Sequence, residues 1–166
     1  MSNLLKFEIV EHSPYRFIGK SVYARAQPGA WLQCGDAWFH DFLQENTAWV
    51  FTKLDEMNDY ASDITIKANL LTWEKYCDKS ELLGFTTGRF MKADCPIPNS
   101  FDYFDIAEGY MAKGVFDHWE DGTHDTKIRE AIEKHGGYKS CEWRFMGELD
   151  YGDDKHYGYF ISCDKE

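Results

Sequence analysis

The feature that most restricts this chain is a stop near its middle. Cys95-Pro96-Ile97-Pro98-Asn99 sets two prolines two residues apart, and neither a helix interior nor a central strand accepts them. The segment is a linker, and the elements on its two sides come in the same order: strand, helix, then two strands. Before it, residues 7–24 read as two extended pieces around Pro14, carrying Phe17, Ile18, Val22 and Tyr23. Residues 31–44 place Trp31, Cys34, Trp38 and Phe42 at helical spacing, with Trp38 and Phe42 turned to the core. A second helical stretch starts from Thr47 as cap and repeats Val50, Leu54, Met57 and Tyr60. Residues 64–77 and 82–92 then form an antiparallel hairpin around the polar Asp78-Lys79-Ser80-Glu81.

After the linker, residues 103–117 read as one strand bent at Gly109. Residues 125–135 form a short helix with Asp125 as N-cap and Gly136 as stop. Residues 140–149 alternate Cys141, Trp143 and Phe145 against Glu142, Arg144 and Met146, and residues 157–163 close the chain after the turn Tyr151-Gly152-Asp153-Asp154. The two halves also match in residues: Phe17-Ile18-Gly19-Lys20-Ser21-Val22-Tyr23 resembles Tyr110-Met111-Ala112-Lys113-Gly114-Val115-Phe116. The expected fold is therefore α+β. Two duplicated β-α-β-β modules, about 5–93 and about 100–164, make one domain over 1–166 with pseudo-twofold symmetry, antiparallel sheets, helices on one side and a ligand cleft at the seam.

Composition narrows what such a cleft can serve. Eighteen Lys and Arg against 29 Asp and Glu give a net charge of -11, which repels phosphate backbones and anionic lipid, so direct nucleic-acid binding is not expected. No window approaches the roughly 18 apolar residues of a membrane span, and the first residues lack the basic start of a signal peptide, so the expected location is cytoplasmic and off the membrane. Five cysteines without a C-x-x-C spacing point to reduced thiols rather than a disulfide framework or a zinc ribbon. Aromatic residues make up 17% of the chain, enough to line a pocket as well as fill a core.

Two segments invite chemistry and do not hold it. The stretch from His118 to Asp125 gathers two histidines and three carboxylates, but their spacing matches no standard ligand set and fits a solvated connection into the following helix. Gly136-Gly137-Tyr138-Lys139-Ser140 follows a helix where a phosphate loop precedes one. No nucleophile elbow, zinc-protease motif or dinucleotide fingerprint occurs, and no metal or cofactor is expected.

Five segments together carry a resemblance that spans nearly the whole chain: Tyr15-Arg16-Phe17-Ile18-Gly19, Trp38 with Phe42, Phe85-Thr86-Thr87-Gly88, Ile106-Ala107-Glu108-Gly109-Tyr110-Met111-Ala112, and Cys141-Glu142-Trp143-Arg144-Phe145. In these the chain resembles the GyrI-like family, the AraC-type bacterial effector-binding domain. The resemblance implies a duplicated β-α-β-β fold around a central ligand pocket, and it maps the acid of the family's Glu-x-x-aromatic signature onto Glu142. It sets Met111 where the family places a pocket tyrosine, with Tyr110 one step early, so either Met111 lines the pocket or a bulge turns Tyr110 into it. Trp73, Tyr76 and Tyr159 complete the candidate ligand contacts, and Arg144, on the face of Glu142, offsets part of its charge.

Three functions follow from the resemblance. The first is binding or sensing of a small, cationic or amphipathic lipophilic molecule in an aromatic and acidic pocket, by a stand-alone domain with no basic DNA-binding helix at either end. The second is hydrolysis of a strained or electrophilic small molecule with Glu142 as the catalytic base. The third is a gyrase-inhibitor-like role in which an acidic surface meets a protein partner.

Overall fold

The computed structural model describes residues 1–25, 43–72, 82–120, 123–141, 144–153 and 155–166. In chain order these form β1 (Leu4–His12), β2 (Tyr15–Arg25), α1 (Leu43–Glu56), a 3-10 turn (Asn58–Tyr60), β3 (Lys67–Thr72), β4 (Leu82–Lys92), β5 (Asp102–Ile106), β6 (Gly109–Phe116), α2 (His124–His135), β7 (Tyr138–Ser140), β8 (Phe145–Asp150) and β9 (Tyr157–Lys165). Every pairing is antiparallel. The strands make one sheet in the order β1-β6-β9-β8-β3-β4-β2-β5, with β7 added to β9. The α+β class with an antiparallel sheet is thus as the sequence implies.

That order is symmetric about the β3–β8 pair. On one side stand β3, β4 and β2, and on the other β8, β9 and β6. Each set is completed at its outer edge by a strand from the other half of the chain, because β5 pairs with β2 while β1 pairs with β6. The two strands around Pro14 therefore never pair with each other. The halves are tied by strand exchange as well as by the central pair.

Both described helices lie on one face, as the register requires. Ile18 and Met91 on β2 and β4 contact Val50, Phe51 and Leu54 of α1. Ala112 and Ile161 on β6 and β9 contact Ile128 and Ile132 of α2. Gly114 makes the second contact close: a Cβ there would meet Ile128 Cδ1 at 2.2 Å and Leu4 Cδ1 at 2.9 Å, so a larger side chain must displace these side-chain ends. On the first half, Arg89 has a side chain only 6% exposed and reaches Asp55 of α1 at 2.9 Å, pinning helix to strand, while its buried Nε has no partner.

The opposite face carries the largest cluster, in which Phe17 and Phe90 from one half meet Met111, Phe145 and Phe160 from the other. Phe90 and Phe160 approach to 5.5 Å between ring centroids although β3 and β8 run between their strands. Three strand spacings amount to about 14 Å. The rings converge because the sheet coils and because Ala68 and Gly147 leave the intervening surface low.

Several expected boundaries change. Residues 103–117 are two strands, not one bent strand: the chain leaves β5 at Ile106 and re-enters the far side of the sheet as β6 at Gly109. The strand expected over 140–149 is likewise broken. Cys141 N–H donates to Ser162 O at 2.7 Å and Arg144 N–H to Cys141 O at 2.9 Å, and β8 starts only at Phe145 after β7 ends at Ser140. Thr123, not Asp125, precedes α2, and it makes no side-chain cap bond, leaving Asp125 to favour the helix dipole from the first turn. Thr47 lies inside α1 rather than at its start. Gly136 does stop α2, with φ 75° and its N–H on Ile132 O at 3.2 Å. The helix expected over 31–44 lies outside the described residues up to Phe42.

The matched heptapeptides fall on β2 and β6, which occupy corresponding places in the two halves. Their gapless alignment does not preserve faces, however. Ile18 packs under α1 while Met111 packs on the opposite side of the sheet, so a one-residue offset separates the sequence match from the spatial one.

Candidate functional site

The central β3–β8 pair joins a strand from each half of the chain. Across it, on the helix side, a single row runs Lys20, Thr87, Asn69, Glu148, Tyr159 and Gly114, each paired with the next. Asn69 and Glu148 are direct partners, with Asn69 Nδ2 donating to Glu148 Oε2 at 3.4 Å. An acid here is set among rings. Tyr159 stands opposite it on β9, and Tyr157, two positions earlier on β9, shares that face and also bears on the carboxylate. His124, at the start of α2, closes the group with its ring 4.4 Å from that of Tyr157, 4.5 Å from Phe116 and 6.3 Å from Tyr159.

This packing sets the electrostatics. Burial is the largest influence on Glu148 and raises its carboxyl pKa above the ordinary glutamate value of 4.5. Hydrogen bonding from Tyr157 and Asn69 works against that rise, and the nearby Asp150 adds to it. No cation figures among these influences, and among the described residues no ion pair reaches Glu148. Tyr157 and Tyr159 are both pushed well above the usual phenol range, first by burial and then by the negative charges around them. Burial also lowers the basicity of His124, so the ring is neutral near pH 7, with its Nε2 3.3 Å from His118 O.

Glu148 nevertheless keeps some contact with solvent. A carboxylate that is desolvated by its neighbours, unpaired with any described cation and still reachable from outside can bind a positive charge, or accept a proton from a weak acid.

Of the six residues the sequence singles out, Tyr159 belongs to this group. Tyr110 faces the helix side too, but four positions along β6 from Gly114, where its ring packs on Tyr138 at 5.3 Å. No bulge is needed to turn it there, since the β6–β9 register is continuous from Tyr110 to Phe116. Met111 is 1% exposed within the cluster on the opposite face. Glu142, Trp73 and Tyr76 lie outside the described residues. Arg144, expected to offset Glu142, is 2.7 Å from Asp164.

Sequence reading passed over Glu148, Asn69, Tyr157 and His124. The signal for Glu148 was present: the alternation that puts Glu142, Arg144 and Met146 on one face extends to position 148, next to a glycine and a leucine. The sequence places His124 in a solvated connection, and the structure buries it. It is 4% exposed. Among the described residues, no group of three histidine, cysteine or carboxylate side chains has the geometry of a metal site. No described helix is long and apolar enough to cross a membrane.

No protein-family model matches the chain, and no curated protein matches it in sequence. Solved structures do. SAV2435 bound to tetraphenylphosphonium superposes with a TM-score of 0.64 at 9% identity, over 96% of this chain and 94% of the other. A Staphylococcus aureus MU50 protein named for bacterial transcription regulation gives 0.65 at 10% identity, over 96% and 98%. A hydrolase encoded by lin2189 from Listeria innocua gives 0.52 at 10% identity, over 96% and 92%. Identities this low speak for the fold alone, and they do so over nearly the full length of each partner. The chain shares the fold of these proteins, an antiparallel sheet with helices on one face.

Proposed function

We propose that the protein binds a small cationic or amphipathic, lipophilic molecule in the seam between its two halves, with Glu148 as the acidic centre. The observation that carries this reading is the buried carboxyl of Glu148 among Tyr157, Tyr159 and His124, with no ion pair to any described residue. A bound cation supplies the counter-charge that the described protein residues do not. Ring faces add cation-π attraction of about 0.5–2 kcal/mol each. The likeness to SAV2435 bound to tetraphenylphosphonium supports the same ligand class. Glu142 stays a second candidate acid through the family signature, with Tyr110, Met111, Trp73 and Tyr76 as its candidate contacts.

A thermal-shift titration with tetraphenylphosphonium separates the two acids. The wild type and Glu142→Gln gain stability with ligand, as any selective binder of the native state must, and Glu148→Gln does not. Loss of the response in Glu142→Gln alone moves the site to residue 142. No response from the wild type sinks the cationic-ligand reading.

A second reading is hydrolysis of an electrophilic small molecule, for which a raised carboxyl beside the Tyr157 phenol offers a base and a proton donor. It predicts turnover of an activated ester or epoxide that Glu148→Gln abolishes.

A further inference from the structure

A cavity of about 340 Å³ opens where β5 turns into β6, and Glu148 is not among its walls. His12, Ile106, Gly109, Tyr110, Arg144 and Phe145 are among its walls. His12 is its fixed polar point. The side chain is buried, its ring stacks on Tyr15 at 5.1 Å and meets Phe145 edge-on at 6.2 Å, and Tyr15 is itself held by a 2.6 Å hydrogen bond to Asp63. His12 Nδ1 lies 2.9 Å from Ser13 O. A carbonyl only accepts, so Nδ1 carries the proton. Burial lowers the basicity of the ring, which leaves Nε2 as a bare acceptor.

Gly109 faces that acceptor, and nothing in its backbone calls for glycine. Its φ is outside the left-handed region, and a Cβ there would meet only His12, with Nε2 at 3.7 Å and Cε1 at 4.0 Å, ordinary contact distances. What the missing side chain does is keep the space in front of Nε2 open. The wall sets apolar Ile106 and Phe145 beside polar Glu108, Arg144 and Ser162, and Arg144 is 2.7 Å from Asp164.

We propose that this cavity is a second ligand site, for a small, neutral aromatic molecule bearing one hydroxyl donor. Its O–H donates to His12 Nε2 and its ring lies against Phe145 and Ile106. An uncharged hydroxyl is the donor that an unprotonated ring nitrogen accepts from without a counter-charge. The site is independent of Glu148, so either can fail alone.

Titration of the full chain with 4-methylphenol and with 4-methylanisole, followed by amide chemical shifts, tests it. The two share a ring and differ in the O–H. The wild type is expected to bind the phenol about five- to tenfold more tightly than the ether, the worth of one hydrogen bond. Gly109→Val fills the space and abolishes phenol binding while leaving the tetraphenylphosphonium response intact. His12→Phe keeps a ring in place and brings the two ligands to equal affinity. Equal affinities in the wild type, no saturable shift at millimolar phenol, or unchanged phenol binding in Gly109→Val overturns the proposal.

Discussion

The two halves of the sheet have the same strand order and different chemistry. In the first half the helix-side row offers Lys20, Thr87 and Asn69, and α1 is secured by apolar contacts plus a charged tether from Arg89 to Asp55. In the second the corresponding strands offer Glu148, Tyr159 and Gly114, and α2 lies down on a glycine among His124, Tyr157 and Phe116. The strand order is mirrored across the β3–β8 pair and the side chains are not. One half supplies an acid and its rings, and the other supplies an amide that holds the acid in place. A seam between equivalent scaffolds lets the side chains diverge without disturbing the packing that supports both.

The comparison can be broken at its helices first. If the two are equivalent supports, Leu54→Ala on α1 and Ile128→Ala on α2, both fully buried, each cost about 2–5 kcal/mol in denaturant unfolding. A large loss for one and a negligible loss for the other ends the claim of equivalent scaffolds. The close seating of α2 is tested next by Gly114→Val. Its Cβ collides with Ile128, and overpacking of this kind costs about 1–3 kcal/mol. A neutral result shows that the Ile128 and Leu4 side chains make room and that Gly114 does not set the height of α2.

A smaller effect is expected on the opposite face, where Tyr15→Phe removes the 2.6 Å bond to Asp63 and costs about 1 kcal/mol, read as a lower unfolding midpoint. The smallest concerns Glu148 without ligand. Its carboxyl titrates higher in the folded protein than in the unfolded chain, so the folded state holds more protons between the ordinary value of 4.5 and the raised one. Stability therefore falls as pH rises through that window. Glu148→Gln should raise the melting temperature slightly at neutral pH and leave it unchanged below about pH 4.5. A melting temperature lowered at neutral pH would mean that the charge is stabilised after all.

Much of the scaffold was legible because β-branched and aromatic runs bounded by turns leave few alternatives. Pro14 and Gly136 fixed their boundaries for stated reasons of backbone geometry. The split of residues 103–117 was hidden because Ala107-Glu108 carries no proline or asparagine to mark the turn, and Gly109 alone read as a bend. Pairing partners were not legible either. Nothing local tells β1 to seek β6 rather than β2, since that choice is made by the coiled sheet as a whole. The acid of the seam was missed for a related reason. Alternation says which face a carboxylate occupies and not whether that face is solvent or cleft, and only the β3–β8 pairing puts Glu148 at the centre.

The most direct test is the carboxyl of Glu148 itself, followed by carbon NMR across pH with and without tetraphenylphosphonium. The account predicts a midpoint above the ordinary glutamate value of 4.5 in the free protein and a fall when the cation binds. An ordinary midpoint that the cation does not move would contradict it.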